Sequence, residues 1–134
     1  LIAAGLAPFA PESAAVQAGR LMLKELERHF AARQSFAFET TLSGHAYLRH
    51  IRRWQAAGYC VELIFLRLAS ADEAVARVAQ RVRQGGHHIS EAVIRRRFTV
   101  GLENFTRHYA PAVDIWAMYD NSGELPQLLD WSEA

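Results

Sequence analysis

The run Tyr59-Cys-Val-Glu-Leu-Ile-Phe-Leu-Arg-Leu68 limits this chain more than any other stretch. Tyr59, Cys60, Val61, Leu63, Ile64, Phe65 and Leu66 leave almost no polar position. The expectation is therefore a central strand covered on both faces, with Cys60 as a core residue. Val113 to Tyr119, with Ile115, Trp116, Ala117 and Met118, is a second strand of the same kind. Helical patterns separate the two. Ser70-Ala-Asp-Glu73 is a capping box, in which Ser70 accepts from the third helical N–H and Glu73 reaches back. Its helix runs to about Arg83. Gly85-Gly86 breaks it, and Ser90 caps a further helix that continues to about His108 before Pro111. Strands alternating with helices give an α/β domain with a mainly parallel sheet flanked by helices.

Upstream, Pro11 suits a first helical turn. Ala15, Ala18, Met22, Leu26 and Phe30 keep helical spacing to about Arg33. Ser35 to Phe38 reads as a short buried strand. It leads into a loop carrying Glu39, Thr40 and Thr41, and a helix opens near Ser43. That helix holds Tyr47, Leu48, Ile51 and Trp54 and stops at Gly58. A carboxylate and two hydroxyls thus fall at the C-terminal end of a strand beside a helix N-terminus, where open α/β sheets bind ligands and anions are favoured. The competing reading makes Thr41 or Ser43 an N-cap and Glu39 a solvated acid. His45 reads as a surface or capping residue. Asp120-Asn-Ser-Gly123 is a turn by composition, and Glu124 to Leu129 adds an edge strand or tail.

Charge is nearly balanced, at a formal +1, with 51% hydrophobic and 22% charged residues. No global field points to nucleic acid or membrane. Cys60 is the only cysteine, which rules out an intramolecular disulfide and suits a reducing, cytoplasmic setting. No signal peptide or membrane-spanning apolar run is evident. Lys24 is the single lysine, and arginine supplies the rest of the basic side chains. Arg77, Arg81, Arg83, Arg95, Arg96 and Arg97, with His87 and His88, flank the glycine-broken loop. Such a cluster is either a solvated helical hairpin or a lid, spanning roughly 77–97, that closes over phosphate with Gly85-Gly86 as its hinge. It lacks the aromatic interleaving of a nucleic-acid surface. Adjacent His87 and His88 do not make a metal site.

Together, Leu1-Ile-Ala-Ala-Gly-Leu-Ala-Pro-Phe9, Phe36-Ala-Phe-Glu-Thr-Thr-Leu-Ser-Gly44, Arg81-Val-Arg-Gln-Gly-Gly-His-His-Ile-Ser90, Ile94-Arg-Arg-Arg-Phe98 and Tyr119-Asp-Asn-Ser-Gly123 resemble the zeta toxin family of P-loop kinases. The resemblance implies one kinase domain over residues 1–134, transfer of the γ-phosphate of ATP with Mg²⁺, and a nucleotide-sugar acceptor such as UDP-N-acetylglucosamine. It also implies a small antitoxin partner. It assigns Glu39 and Thr41 to the sugar and Arg77 to phosphate. A second phosphate-contacting arginine aligns near His87, and Arg81, Arg83 or an arginine of the run ending at Arg97 is the substitute. The family's first strand, glycine-rich phosphate loop and catalytic Asp would precede Leu1. Because the chain also starts with Leu1 and not Met, the expectation is a C-terminal portion, inactive by itself, of a longer kinase. The alternative is a non-catalytic module that engages an antitoxin or nucleotide sugar, and a weaker one is a nucleoside- or shikimate-type kinase.

Overall fold

The computed structural model describes residues 11–86 and 88–133. The helix end expected over Leu1 to Leu6, and His87, lie outside the described residues. The chain forms two compact units, residues 1–39 and 40–134.

In the first unit, α1 spans Pro11–Ala31 and buries Leu26. It closes two residues before the expected point. Arg33 adopts φ 56°, the Arg33 N–H donates to the Phe30 carbonyl and the Gln34 N–H to the His29 carbonyl, each at 3.0 Å. This is the paired bonding of a Schellman stop, with arginine where glycine is usual. Ser35 to Phe38 is not a strand, contrary to expectation. Phe36 and Phe38 are half-buried while Ser35 and Ala37 are exposed, so the period of two is present. Alternation alone does not make a strand, which is defined by its hydrogen-bonded ladder.

The second unit contains α2 (Ala46–Ala56), β1 (Glu62–Arg67), α3 (Ala71–Arg83), α4 (Glu91–Asn104), a π-helical turn (Phe105–Tyr109), α5 (Ala110–Ala112), β2 (Ile115–Asp120) and β3 (Gln127–Trp131). The sheet order is β1-β2-β3. Strands β1 and β2 are parallel, with Glu62 opposite Ile115 and Arg67 opposite Asp120. Strand β3 runs antiparallel to β2, with a bulge between Met118 and Tyr119. The fold is α/β, and among the described residues the sheet is small and mixed, with one parallel and one antiparallel pair.

Phe105 organises the core. Its ring stacks on Phe65 of β1 at 4.6 Å and meets Trp116 of β2 edge-on at 5.4 Å. Phe105 and Tyr109 are the most deeply buried large side chains described. The helix therefore runs past His108, through a wide turn, and Pro111 lies in the short α5 that follows. β1 departs from expectation. Among the described strands it has one neighbour, β2, and Ile64 and Leu66 are 64% and 54% exposed. Alternation sends Leu63 and Phe65 toward the helices and leaves the opposite side chains in solvent. Cys60, ahead of the strand, is exposed and is not a core residue. Among the described residues no helix is long and apolar enough to cross a membrane.

Asp114 links the ends of three elements. Its carboxylate accepts from the Val61 N–H at 2.7 Å and from Gln55 Nε2 at 3.2 Å. The Val61 bond first, then the Gln55 bond, hold its pKa below 3.8, the ordinary value. A lowered native pKa adds stability that is fully present above the unfolded value and is lost as pH falls through the native one. Asp114→Asn keeps an acceptor but removes the titration. Unfolding free energy measured in urea should then decline less steeply below pH 3.8 than in the wild-type protein.

Candidate active site

The loop Thr40–His45 is held from beneath by α4 and the π turn. Asn104, 4% exposed, is the one buried polar residue described. Its Nδ2 donates to the Leu42 carbonyl at 2.7 Å, and its Oδ1 pairs with His45 Nε2 at 2.9 Å. The Tyr109 hydroxyl donates to the Gly44 carbonyl at 2.7 Å. Burial raises the pKa of that phenol, so it remains a donor. Gly101 lets the helix approach, because a Cβ there would sit 3.0 Å from the Thr41 carbonyl oxygen. Leu42 points inward, 4% exposed, with its backbone in the left-handed region at φ 54°. A leucine rarely adopts that conformation unless its surroundings impose it.

On the outer side, Thr41 Oγ1 and Ser43 Oγ lie 2.9 Å apart, and both residues are exposed. Neither caps α2. His45 occupies the cap position without a side-chain capping bond. Its ring instead lies 4.5 Å from that of His108, as well as bonding Asn104. Thr40 Oγ1 accepts from the Leu42 N–H at 3.2 Å. Glu39 is exposed at the end of the first unit, two residues before Thr41 in the chain.

The arginines of the α3–α4 hairpin divide into two groups. Arg77 Nη2 donates to the carbonyls of Asn121 at 2.5 Å and Ser122 at 3.1 Å, and lies 3.7 Å from Glu73. Arg95 bridges the helices, reaching Asp72 at 2.5 Å and Glu91 at 2.9 Å. Those partners are exposed, so solvent screening leaves the bridge little weight in stability. Arg81, Arg83, Arg96 and Arg97 are exposed and their side chains make no bond to a described residue. They suit an anionic ligand, and the phosphates of a nucleotide meet that requirement. Among the described residues no three His, Cys, Asp or Glu side chains converge on a metal-sized site.

Ser70 caps α3 as expected, accepting from the Glu73 N–H at 3.2 Å, although Glu73 itself faces Arg77. Ser90 likewise accepts from the Val93 N–H at 3.4 Å. The two glycines make a Schellman stop. Gly85 has φ 91°, its N–H donates to the Val82 carbonyl at 3.0 Å, and the Gly86 N–H donates to Arg81 at 2.8 Å. In the turn after β2, the Ser122 N–H donates to Asp120 Oδ1. The Ser122 bonds, with weaker help from Arg67 and Arg77, hold the Asp120 pKa low.

A family model described as Zeta toxin matches residues 10–125. The chain belongs to the zeta toxin family. That match takes in the anchored loop and the whole arginine hairpin. A protein of Haemophilus influenzae strain Rd, described only as uncharacterized, is 31% identical over 99 residues, covering 72% of this chain and 69% of that protein. No solved structure matches the chain.

Of the family residues expected from sequence, Thr41 lies on the anchored loop, Arg77 lies against the turn after β2, and His87 is outside the described residues. Arg81, Arg83 and Arg97 stand on the hairpin. Sequence reasoning missed Gly101, Asn104 and Tyr109, which hold the loop. The available signal was weak: a glycine and an asparagine three apart on one helical face.

The close packing at the hairpin turn supports a direct test. A Cβ on Gly86 would lie 2.8 Å from the Arg81 carbonyl oxygen, backbone against backbone. Gly86→Ala should lower stability by roughly 1–3 kcal/mol, read as a shift of the urea midpoint.

Proposed function

We propose that the chain acts in an ATP-dependent small-molecule kinase of the zeta type, with a nucleotide sugar such as UDP-N-acetylglucosamine as acceptor. The match over residues 10–125 carries this reading, because it includes both the hydroxyl-bearing loop and the arginines. The mixed sheet is then part of a P-loop-kinase sheet, the α3–α4 hairpin is its lid, and a small protein antitoxin is its partner. ATP with Mg²⁺ supplies the phosphoryl group.

The chain's own residues bind and orient. The Glu39 carboxylate accepts a hydrogen bond from a sugar hydroxyl, and Thr41 Oγ1 offers a second polar contact. Both restrict the acceptor to orientations suited to in-line attack. Arg81, Arg83 and Arg97 bring positive charge to the phosphates. Arg77 uses only Nη2 on described partners, which leaves Nε and Nη1 for an anion. Guanidinium groups that strengthen their bonds as charge shifts in the transition state lower the barrier. No residue of this chain is assigned as the base.

The deciding experiment incubates the complete gene product with ATP, Mg²⁺ and UDP-N-acetylglucosamine and follows the acceptor by mass spectrometry. The expected result is an ATP-dependent gain of one phosphate. ATP turnover without that product would move the reading to another acceptor, and no nucleotide turnover or binding would reject it.

Two substitutions in the complete protein separate the roles. Glu39→Ala should raise acceptor KM by about tenfold and leave ATP binding unchanged; parallel loss of both would indicate misfolding. Arg77→Ala should lower kcat by about 100-fold, with a much smaller effect on acceptor KM. An unchanged kcat would remove Arg77 from the phosphate site.

A further inference from the structure

The loop Thr41–His45 is held at two points by side chains, and approached closely at a third, by residues that no resemblance assigns to the site. Asn104 bonds the Leu42 carbonyl, Tyr109 bonds the Gly44 carbonyl, and the bare Cα of Gly101 admits the Thr41 carbonyl. All three sit on α4 and the π turn. The left-handed Leu42 is buried inside this frame. The frame orders the exposed Thr41–Ser43 hydroxyl pair and, through Asn104, the His45 ring.

The Asn104 bonds also orient His45. A carbonyl oxygen only accepts, so the Asn104 amide nitrogen must face Leu42 and its oxygen must face His45 Nε2. His45 Nε2 is therefore the donor. In the neutral ring this network assigns the proton to Nε2 and leaves Nδ1 as an acceptor. The loop then carries two hydroxyls and one imidazole acceptor in fixed relation, a set suited to a ligand with several hydroxyl groups.

We propose that Asn104 and Tyr109 are positioning residues of the acceptor site, which fix the Thr41–His45 loop so that its hydroxyls and the His45 acceptor nitrogen meet a polyhydroxylated acceptor. This rests on the kinase reading above. Neither residue need touch substrate. Each acts through the loop backbone, and Asn104 also sets which nitrogen of His45 carries the proton.

The test uses the complete protein, with UDP-N-acetylglucosamine as the acceptor probe. Asn104→Ala and Tyr109→Phe are compared with Ile51→Val, a packing change in α2, where Ile51 is 4% exposed. Asn104→Ala, which removes two hydrogen bonds, should raise acceptor KM by about tenfold, and Tyr109→Phe, which removes one, by about threefold. In both, kcat and the KM for ATP should stay within about twofold of wild type. Amide exchange at residues 42–45 should quicken in both variants and stay unchanged in Ile51→Val. Acceptor KM and ATP KM rising together, or an unchanged acceptor KM, would overturn the proposal, because either leaves the two residues a general structural role. If the wild-type protein transfers no phosphate, the kinase reading fails separately. Exchange then decides the anchoring: unaltered exchange at residues 42–45 in Asn104→Ala overturns it.

Discussion

The buried amide of Asn104 joins the two halves of this site. One of its groups holds the Leu42 carbonyl and the other holds His45. An unpaired amide in that position would cost several kcal/mol of desolvation. The loop and the helix must therefore meet in a single register or leave polar atoms stranded. The π turn lets Tyr109 join the same face. Five residues along an α-helix, Asn104 and Tyr109 would lie about 140° apart around the axis. A wider turn narrows that angle, which lets the Tyr109 hydroxyl reach Gly44 while Phe105 stays packed on Phe65 and Trp116. Such turns recur at functional sites because they re-aim side chains in this way.

The hairpin follows a similar division of labour. Arg77 and Arg95 hold the fold, one against the turn after β2 and the other between α3 and α4. Their engagement leaves Arg81, Arg83, Arg96 and Arg97 as the exposed positive charge. Like charges that repel in the free protein favour an anion when one arrives. The glycine pair between the helices is a stop with defined bonds, so any movement of the hairpin as a lid must turn on residues that the stop leaves free.

Local signals in the sequence were read correctly where the physics is local. Ser70 and Ser90 cap their helices because a hydroxyl next to free N–H groups needs no distant partner. Gly58 and Gly85 take positive φ at helix ends. The apolar runs became β1 and β2, and the family was legible from motif order, as the match over residues 10–125 bears out. The misreadings were tertiary. Ser35 to Phe38 has the alternation of a strand but is not one. Tyr59 to Leu68 has the composition of a covered strand, yet among the described strands β1 pairs with β2 alone, and Ile64, Leu66 and Cys60 are exposed. Hydrophobicity tells which side chains gain by burial, not whether a layer is there to bury them.

The sequence by itself determined the glycine-marked helix stops, the apolar runs that form β1 and β2, the hydroxyl-rich loop and the arginine-rich hairpin, because each depends on residues within a few positions of one another. Only the tertiary structure decided that Asn104, some sixty positions from Leu42 and His45, would be the residue holding that loop, and that Arg77 would be bound while the Arg81 side chain bonds no described residue. Those outcomes depend on contacts between distant segments. Hydrogen-bond geometry over a few ångströms selects one partner among many chemically suitable ones, and linear spacing holds no record of that choice.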